Sequence, residues 1–118
     1  MILVDTSVWV DHLRRDSPRL RALLADAAVA CHPFVIGELA CGTMRNRDVV
    51  LDLLERLPSL PVAQHGEVLT LIESRRLAGR GLGWVDVNLL ASTLLGGAGL
   101  WTLDGSLLAV AEALGVEQ

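Results

Sequence analysis

The sequence predicts an α/β protein with a central parallel β-sheet that is flanked by α-helices on both faces. Short, uninterrupted apolar runs alternate along the chain with longer segments in which apolar residues recur at the helical period. Turn residues and helix-starting residues separate the two kinds of segment. The length of 118 residues suits one core, so residues 1–118 are predicted to form a single domain.

The first quarter of the chain contains two predicted strands with two helices between them. Met1–Val4 is a short apolar run typical of a buried strand, and residues 7–15 follow it as a helix with arginines in the last turn. Pro18 is a suitable first residue for the second helix, which carries three leucines on its inner side. Ala28–Cys31 is the next apolar run and the second predicted strand.

The middle of the chain is predicted to be mainly helical. Pro33 suits the first position of a third helix, where its missing N–H costs nothing, and this helix is expected to end near Gly42. Residues 47–57 repeat their apolar positions with a period near 3.6 and form the fourth helix. Leu60–Ala63 is a candidate short strand, and His65–Ala78 is a further amphipathic helix.

The last third of the chain returns to the alternation of strand and helix. Residues 79–83 form a glycine-rich loop before a largely buried helix over Val85–Leu95. Glycines then turn the chain into the strand Leu100–Leu103. A helix over residues 106–114 follows, and Val116–Glu117 is a candidate edge strand.

The composition bounds the partners and the compartment. Hydrophobic residues make up 52% of the chain and the mean hydropathy is +0.47. Part of the apolar surface is therefore expected to be covered by a partner or by a second copy of the chain. The longest uncharged run, Val87–Leu103, is too short and too polar to span a membrane. Without a signal peptide or a metal-binding spacing of Cys31 and Cys41, the chain is expected to be cytoplasmic, with free and mostly buried thiols.

Charge gives two further constraints. The formal charge of −4 provides no general attraction for nucleic acid, so RNA binding must depend on a metal or on local patches of positive charge. All ten basic residues are arginine, and the absence of lysine excludes a receiver domain and a P-loop nucleotidase. Seven arginines are candidates to hold an RNA backbone, although a solvated face is the simpler interpretation for each one: Arg14, Arg15, Arg45, Arg47, Arg75, Arg76 and Arg80.

Four of the fourteen acidic residues stand where solvation alone explains them poorly. Asp5 directly follows the first strand, and Asp104 ends the strand before the last helix. Glu38 and Asp86 each lie near the start of a helix that is otherwise apolar and uncharged. Because ligands of parallel sheets bind beyond the carboxyl ends of the strands, these four carboxylates are expected to meet at that edge.

Each of these acids also has a structural interpretation. Asp5, Asp86 and Asp104 could cap the helices that they precede or begin, and Glu38 could form a buried ion pair with an arginine. The four acids together are harder to explain in this way. Two carboxylates about 4 Å apart repel by roughly 4 kcal/mol at an effective dielectric constant near 20, so a cluster must take up protons or hold a cation.

The ligand types around this cluster indicate a hard cation. Oxygen-only ligands favour Mg²⁺ or Mn²⁺ over zinc, and the three histidines, His12, His32 and His65, match no metal-ligand spacing. Acidic clusters that hold Mg²⁺ hydrolyse phosphodiesters, because the metal lowers the pKa of a water and neutralises the charge that builds up on phosphate.

Small hydroxyl side chains are candidates to support the cluster. Thr6 and Ser7 follow Asp5 and could bond ligand oxygens or water, and local helix capping is a role compatible with this one. Thr102 precedes Asp104 by two residues, so both side chains are expected to face the same side of one strand.

These segments resemble the four motifs of the PIN-domain nucleases, in the family's order. The motifs are matched by Leu3–Asp11 with Asp5 before Thr6 and Ser7, by Gly37–Leu39 with Glu38, by Gly83–Ala91 with Asp86, and by Trp101–Asp104. The resemblance runs from Met1 to about Val116, nearly the whole chain.

The short length resembles the VapC toxins of VapBC toxin–antitoxin pairs in particular. This resemblance implies a PIN fold, a homodimer, Mg²⁺- or Mn²⁺-dependent endoribonuclease activity on RNA, and neutralisation by a VapB-type antitoxin. By position, it implies that Asp5 and Asp86 are the most direct metal ligands and that Asp104 belongs to the metal site. With Glu38, these residues form the implied catalytic set.

Other functions compete with this interpretation. A phosphatase of the haloacid-dehalogenase type needs a second Asp two residues after its nucleophile, where this chain has Ser7. A binding module, whose acidic cluster is structural or binds a basic peptide, is the alternative from a different class. A PIN nuclease that processes RNA without an antitoxin would share the chemistry and lack the protein partner.

Overall fold

A three-stranded parallel β-sheet in the order β2–β1–β3 lies at the centre of the protein. The computed structural model describes residues 1–118. Strand β1 is Ile2–Val4, and it pairs with β2, Val29–Ala30, on one side and with β3, Gly99–Trp101, on the other. Both pairings are parallel, so the carboxyl ends of the three strands lie at one edge of the sheet. The predicted α/β class with a central parallel sheet is confirmed.

Seven helices connect and cover the strands, as the sequence predicts. They are α1 (Thr6–Arg15), α2 (Pro18–Ala25), α3 (Pro33–Ala40), α4 (Arg47–Glu55), α5 (His65–Ser74), α6 (Trp84–Gly96) and α7 (Gly105–Ala113). The chain moves from β1 outward to β2 through α1 and α2, and then returns past β1 to β3 through α3 to α6. Right-handed crossovers in these two opposite directions put the connecting helices on opposite faces of the sheet.

Local capping explains where several helices begin and end. Helix α2 begins after Ser17, whose Oγ accepts a hydrogen bond from the backbone N–H of Leu20 at 3.2 Å, with Pro18 in the first helical position. Helix α3 likewise has Pro33 in its first position. Helix α6 is followed by Gly97, whose φ of 60° is a left-handed conformation that glycine adopts without strain.

Helix α6 is the central helix of the core. All seven residues from Val87 to Thr93 are buried, and seven residues cover about two turns, so this part of the helix is enclosed on every side. Leu3 and Leu100 of the sheet are fully buried and belong with Leu89 and Leu90 of α6 to one apolar cluster of 24 residues. Asp86 thus stands near the solvent-facing end of a helix that the core holds firmly.

The prediction of a strand over Leu60–Ala63 is wrong. A single bridge pairs Cys31 with Ser59, and the chain has no strand between there and α5. The next hydrogen bond of a parallel ladder would need an N–H from Pro33, which has none and already begins α3. The pairing therefore stops after one residue.

Several element boundaries differ from the prediction. Helix α5 ends at Ser74, four residues before the predicted Ala78, because Arg76 adopts a left-handed conformation with φ 53°. Strand β3 ends at Trp101, so the predicted extension to Leu103 is wrong. The predicted edge strand over Val116–Glu117 exists as one bridge between Glu117 and Leu100.

The cysteines are free, as predicted. Cys31 is buried, and burial raises the pKa of its thiol, whereas Cys41 is exposed, contrary to the expectation of mostly buried thiols. No helix of the structure is long and apolar enough to cross a membrane.

Candidate functional site

Asp5 is a buried carboxylate at the carboxyl end of the central strand. It follows β1 directly and is only 5% exposed. Although it occupies the N-cap position of α1, its side chain makes no capping hydrogen bond. Its Oδ2 instead accepts hydrogen bonds of 2.7 Å from Ser7 Oγ and from Thr102 Oγ1. The capping interpretation of the Asp5 side chain is therefore wrong.

The two hydroxyl groups that contact Asp5 are themselves fixed. Ser7 Oγ accepts from the N–H of Leu103 at 3.0 Å, and Thr102 Oγ1 accepts from the N–H of Asp104 at 3.0 Å. Each hydroxyl has one proton, and these acceptor roles leave that proton to be donated to Asp5. Asp5 thus receives two hydroxyl donors that suit an ionised carboxylate. The predicted supporting residues Ser7 and Thr102 do contact the acidic residue.

Asp104 lies beyond the strand and caps a helix. It is the N-cap of α7, and its Oδ1 accepts from the N–H of Leu107 at 3.0 Å. The expectation that Thr102 and Asp104 share a strand face is wrong, because β3 has already ended at Trp101. Thr102 is buried, whereas Asp104 is exposed and donates its backbone N–H to the Thr102 hydroxyl that contacts Asp5.

Asp86 is the acid whose pKa is affected by the other three. It is the third residue of α6 and half-buried, and its Oδ2 accepts from the N–H of Gly83 at 2.9 Å. Burial raises the pKa of Asp86, and repulsion from the carboxylates of Asp5, Asp104 and Glu38 raises it further, while the Gly83 N–H opposes the shift. Each of the other three predicted acids therefore lies close enough to Asp86 to raise its pKa.

Glu38 approaches the cluster from α3. It is exposed and is the sixth residue of that helix, so the expectation of a position near the helix start is wrong. Its Oε1 accepts a hydrogen bond of 2.7 Å from Thr6 Oγ1. No arginine pairs with Glu38, which removes the ion pair that was its structural interpretation.

The four carboxylates share a pattern of hydrogen bonding that suits a cation. In each carboxylate, one oxygen accepts hydrogen bonds from the protein and the other oxygen accepts none. The unbonded oxygens of Asp5 and Asp86 are not sealed from solvent, and none of the four acids forms an ion pair. Four anionic oxygen donors without a basic partner fit a hard divalent ion.

The side chains are not already gathered around one point. No group of three or more His, Cys, Asp or Glu side chains is arranged here to hold a metal ion. Joint ligation therefore requires some side chains to rotate, and the exposed Glu38 and Asp104 have the freedom to do so. Asp5, which its hydroxyl donors hold in place, is the fixed point of the cluster.

The comparison with known proteins agrees with this arrangement. A family model described as the PIN domain matches residues 2–113. The chain belongs to the PIN-domain family. It is also similar to proteins named Ribonuclease VapC32 from two strains of Mycobacterium tuberculosis, each 58% identical over 117 residues. Each alignment covers 98% of this chain and 94% of the relative.

His32 is a residue of this PIN domain to which the sequence pattern assigns no role. Its ring is fully buried, its Nδ1 accepts from the N–H of Phe34 at 3.0 Å, and its Nε2 lies 3.0 Å from Ser92 Oγ. Because Nδ1 is an acceptor, the proton is on Nε2 and is donated to Ser92. His32 thus ties the start of α3 to the middle of α6, the helices that carry Glu38 and Asp86. Its position directly before Pro33 is the sequence signal of an N-cap.

A second such residue is Trp84, at the first position of α6. Its side chain is 42% exposed and lies against the His65 ring, with 5.1 Å between the centroids. Its carbonyl oxygen accepts from Asn88 Nδ2 at 3.0 Å, so Asn88 has a local structural role. An exposed tryptophan therefore stands two residues from Asp86 in this PIN domain.

Proposed function

We propose that this PIN domain is the toxin of a VapBC-type toxin–antitoxin pair and an endoribonuclease that hydrolyses RNA phosphodiesters with Mg²⁺, for which Mn²⁺ can substitute. The observation that carries the proposal is the acidic cluster: four carboxylates from separate parts of the chain, each with an unbonded oxygen and none with a basic partner. The relatives that are 58% identical are named as ribonucleases, which supports RNA as the substrate class.

The proposed metal ligands are Asp5, Asp86 and Asp104. Asp5 is held by Ser7 and Thr102, and Asp86 stands at the end of a buried helix, so these two carboxylates start from defined positions. When bound there, Mg²⁺ supplies positive charge that offsets the repulsion among the carboxylates, makes water more acidic and neutralises charge on the phosphate.

Glu38 has a different proposed role. It is exposed, it is oriented through one oxygen by Thr6, and its other oxygen is free. We propose that this free oxygen accepts a proton from the attacking water. The water oxygen then forms a bond to phosphorus as the bond to the ribose leaving oxygen breaks in line with it, and that oxygen takes up a proton from solvent.

The proposed protein partners are a second copy of the chain and a VapB-type antitoxin. Large apolar side chains are exposed on α4, at Val49 and Leu53, and along the end of α6, at Leu94 and Leu95. Exposed apolar residues on two separate helices are consistent with two interfaces. Sedimentation of the purified chain, alone and with the product of a neighbouring antitoxin gene, tests both partners.

Incubation with cellular RNA tests the proposed activity. The purified protein, free of any partner, is incubated with total RNA in Mg²⁺, in Mn²⁺ or in EDTA, beside Asp5→Ala and the matched control Asp26→Ala. Asp26 is an exposed acid at the end of α2 and is in no ion pair. Discrete fragments that require metal and Asp5, but not Asp26, are expected. Intact RNA with a folded protein would contradict the nuclease and favour the binding module.

A further inference from the structure

A cavity of about 570 Å³ opens beside the acidic cluster. Thr6 and Glu38 form the wall that the cavity shares with the cluster, and their side chains are hydrogen-bonded to each other at 2.7 Å. The rest of the wall comes from α1, from the end of α3 and from the segment that leads into α4. The volume lies within the range of pockets that enclose small ligands, about 300–1,000 Å³.

The walls of this cavity combine flat apolar surface with polar groups. Leu13 of α1, Leu39 of α3 and Met44 of the following segment provide apolar walls. Thr43 and Asn46 add a hydroxyl and an amide. Apolar walls suit the faces of a nucleobase, and side-chain hydroxyl and amide groups suit its edge.

The charge in the cavity is positive, although the chain as a whole carries −4. Two arginines, Arg14 and Arg45, line it, and Glu38 is the one acidic residue that does. Neither arginine has a carboxylate partner, whereas the nearby Arg15 and Arg47 pair with Asp11 and Asp48. Unpaired guanidinium groups beside an open cavity suit a phosphate group.

The segment between α3 and α4 is held in place, so the cavity is preformed. Arg47 Nη2 donates to the carbonyl oxygen of Ala40 at 2.7 Å and bridges the two ends of the segment. Asn46 turns the chain into α4 in a left-handed conformation with φ 52°. These interactions give Arg47 a structural role. Arg45, by contrast, forms no ion pair.

We propose that this cavity is a nucleotide subsite, in which apolar walls enclose one base of the RNA and Arg14 and Arg45 bind its phosphate. The nucleotide is one that neighbours the cleaved bond, because Thr6 and Glu38 belong to the cavity wall and to the acidic cluster at once. This inference rests on the proposed ribonuclease function and adds to it the part of the chain that selects where RNA is cut.

The test compares two double variants with the same loss of charge. Arg14→Gln/Arg45→Gln removes the cavity arginines, and Arg21→Gln/Arg56→Gln removes two that form ion pairs outside the cavity. Each is assayed on a short RNA that spans a mapped cleavage site and on bis(p-nitrophenyl) phosphate, which carries neither a nucleobase nor a second phosphate group. A third variant, Thr43→Trp, fills the cavity from an exposed position without altering charge.

The cavity variant is expected to raise KM for the RNA about tenfold or more, since it removes charge-assisted hydrogen bonds to a phosphate group. The slope of log KM against log salt should fall by about 0.7 for each phosphate that is no longer bound. Hydrolysis of the small diester should stay at the wild-type rate. Thr43→Trp should change which sequences are cut in total RNA, and the matched control should change neither KM nor sequence preference.

Two results would overturn the subsite. One is an equal KM and salt slope in the cavity variant and its matched control. The other is wild-type cleavage by the cavity variant together with a failure of the antitoxin to inhibit it, which would identify the occupant as a protein segment. Failure of the proposed function is distinct from both, because then the wild-type protein itself would cleave neither RNA nor the small diester.

Discussion

Thr102 donates its hydroxyl proton to Asp5 at 2.7 Å across a separation of 97 residues in sequence. The hydrogen bond joins the residue after β1 to the residue after β3, at the carboxyl edge of the sheet. Ser7 completes the arrangement from the first turn of α1. A buried carboxylate is therefore satisfied by two hydroxyl groups at one oxygen, and its second oxygen accepts no hydrogen bond from the protein.

Thr102→Val should destabilise the protein by about 1–3 kcal/mol, because the buried Asp5 loses a donor that an isosteric methyl group cannot replace. Thermal unfolding in EDTA measures the effect, which should lower Tm by roughly 4 °C for each kcal/mol in a chain of this size. Thr70→Val, on the exposed side of α5, is the matched control. Equal Tm values for the two variants would remove the structural role of this hydrogen bond.

His32 should make stability depend on pH. Burial lowers its pKa in the folded protein below the ordinary value of 6.5, whereas the unfolded chain keeps that value. Below pH 6.5 the unfolded state therefore binds a proton that the folded state does not, so stability is lost as pH falls through this range. Protonation would also end the acceptance of the Phe34 N–H at Nδ1.

Denaturant unfolding between pH 7 and pH 5 tests the role of His32. His32→Asn keeps a capping side chain and removes the titration, so its stability should change less with pH than that of the wild type. His65→Asn, at the exposed start of α5, removes a histidine without disturbing the His32 hydrogen bonds and should retain the wild-type slope. Parallel pH profiles for wild type and His32→Asn would contradict the assignment.

The order of strands and helices follows from the apolar pattern, because that pattern is a local property of the chain. The meeting of Asp5 and Asp104 at one edge could likewise be predicted, since each comes after a strand of a parallel sheet. The strand predicted over Leu60–Ala63 failed for a non-local reason. Its partner becomes α3 at Pro33, a fact that the sequence of the segment itself does not contain.

The hydrogen bonds of the cluster are less predictable than its location. The spacing predicts that Thr102 supports the site through a shared strand face with Asp104, and it contacts Asp5 instead, because the strand ends one residue before Thr102. His32 matches no ligand spacing, and its role is to join two helices. Side-chain networks of this kind depend on distances between elements, which a pattern along the chain does not fix.

Asp86→Asn should stabilise the protein at pH 7 in the absence of divalent ions. Burial and the neighbouring carboxylates raise the pKa of Asp86 above its unfolded value, so the ionised form disfavours folding. The favourable contribution of this group is present below its unfolded pKa and is lost as pH rises through its folded pKa. Asparagine keeps an acceptor for the Gly83 N–H and carries no charge.

Tm measurements in EDTA and in Mg²⁺ separate charge repulsion from ligand binding. In EDTA, Asp86→Asn should unfold at a higher temperature than the wild type, and Asp52→Asn, whose acid pairs with Arg56 at 2.9 Å, should not. Mg²⁺ at 100 times its Kd should stabilise the wild type by about 2.7 kcal/mol and should have a much smaller effect on Asp86→Asn. A lower Tm for Asp86→Asn in EDTA would show that its hydrogen bond outweighs the repulsion.

Trp84 should report metal binding at the cluster without any assay of cleavage. It is 42% exposed and two residues from Asp86, while Trp9 and Trp101 are 5% and 9% exposed. Paramagnetic Mn²⁺ bound at the acids should quench Trp84 fluorescence in a saturable way, and excess Mg²⁺ should restore it by competition. Trp84→Phe should lose most of the response, and Asp5→Asn should weaken it by raising the Mn²⁺ concentration required. A linear, unsaturable decrease that is the same in Asp5→Asn would mean collisional quenching, and it would count against a metal site at these carboxylates.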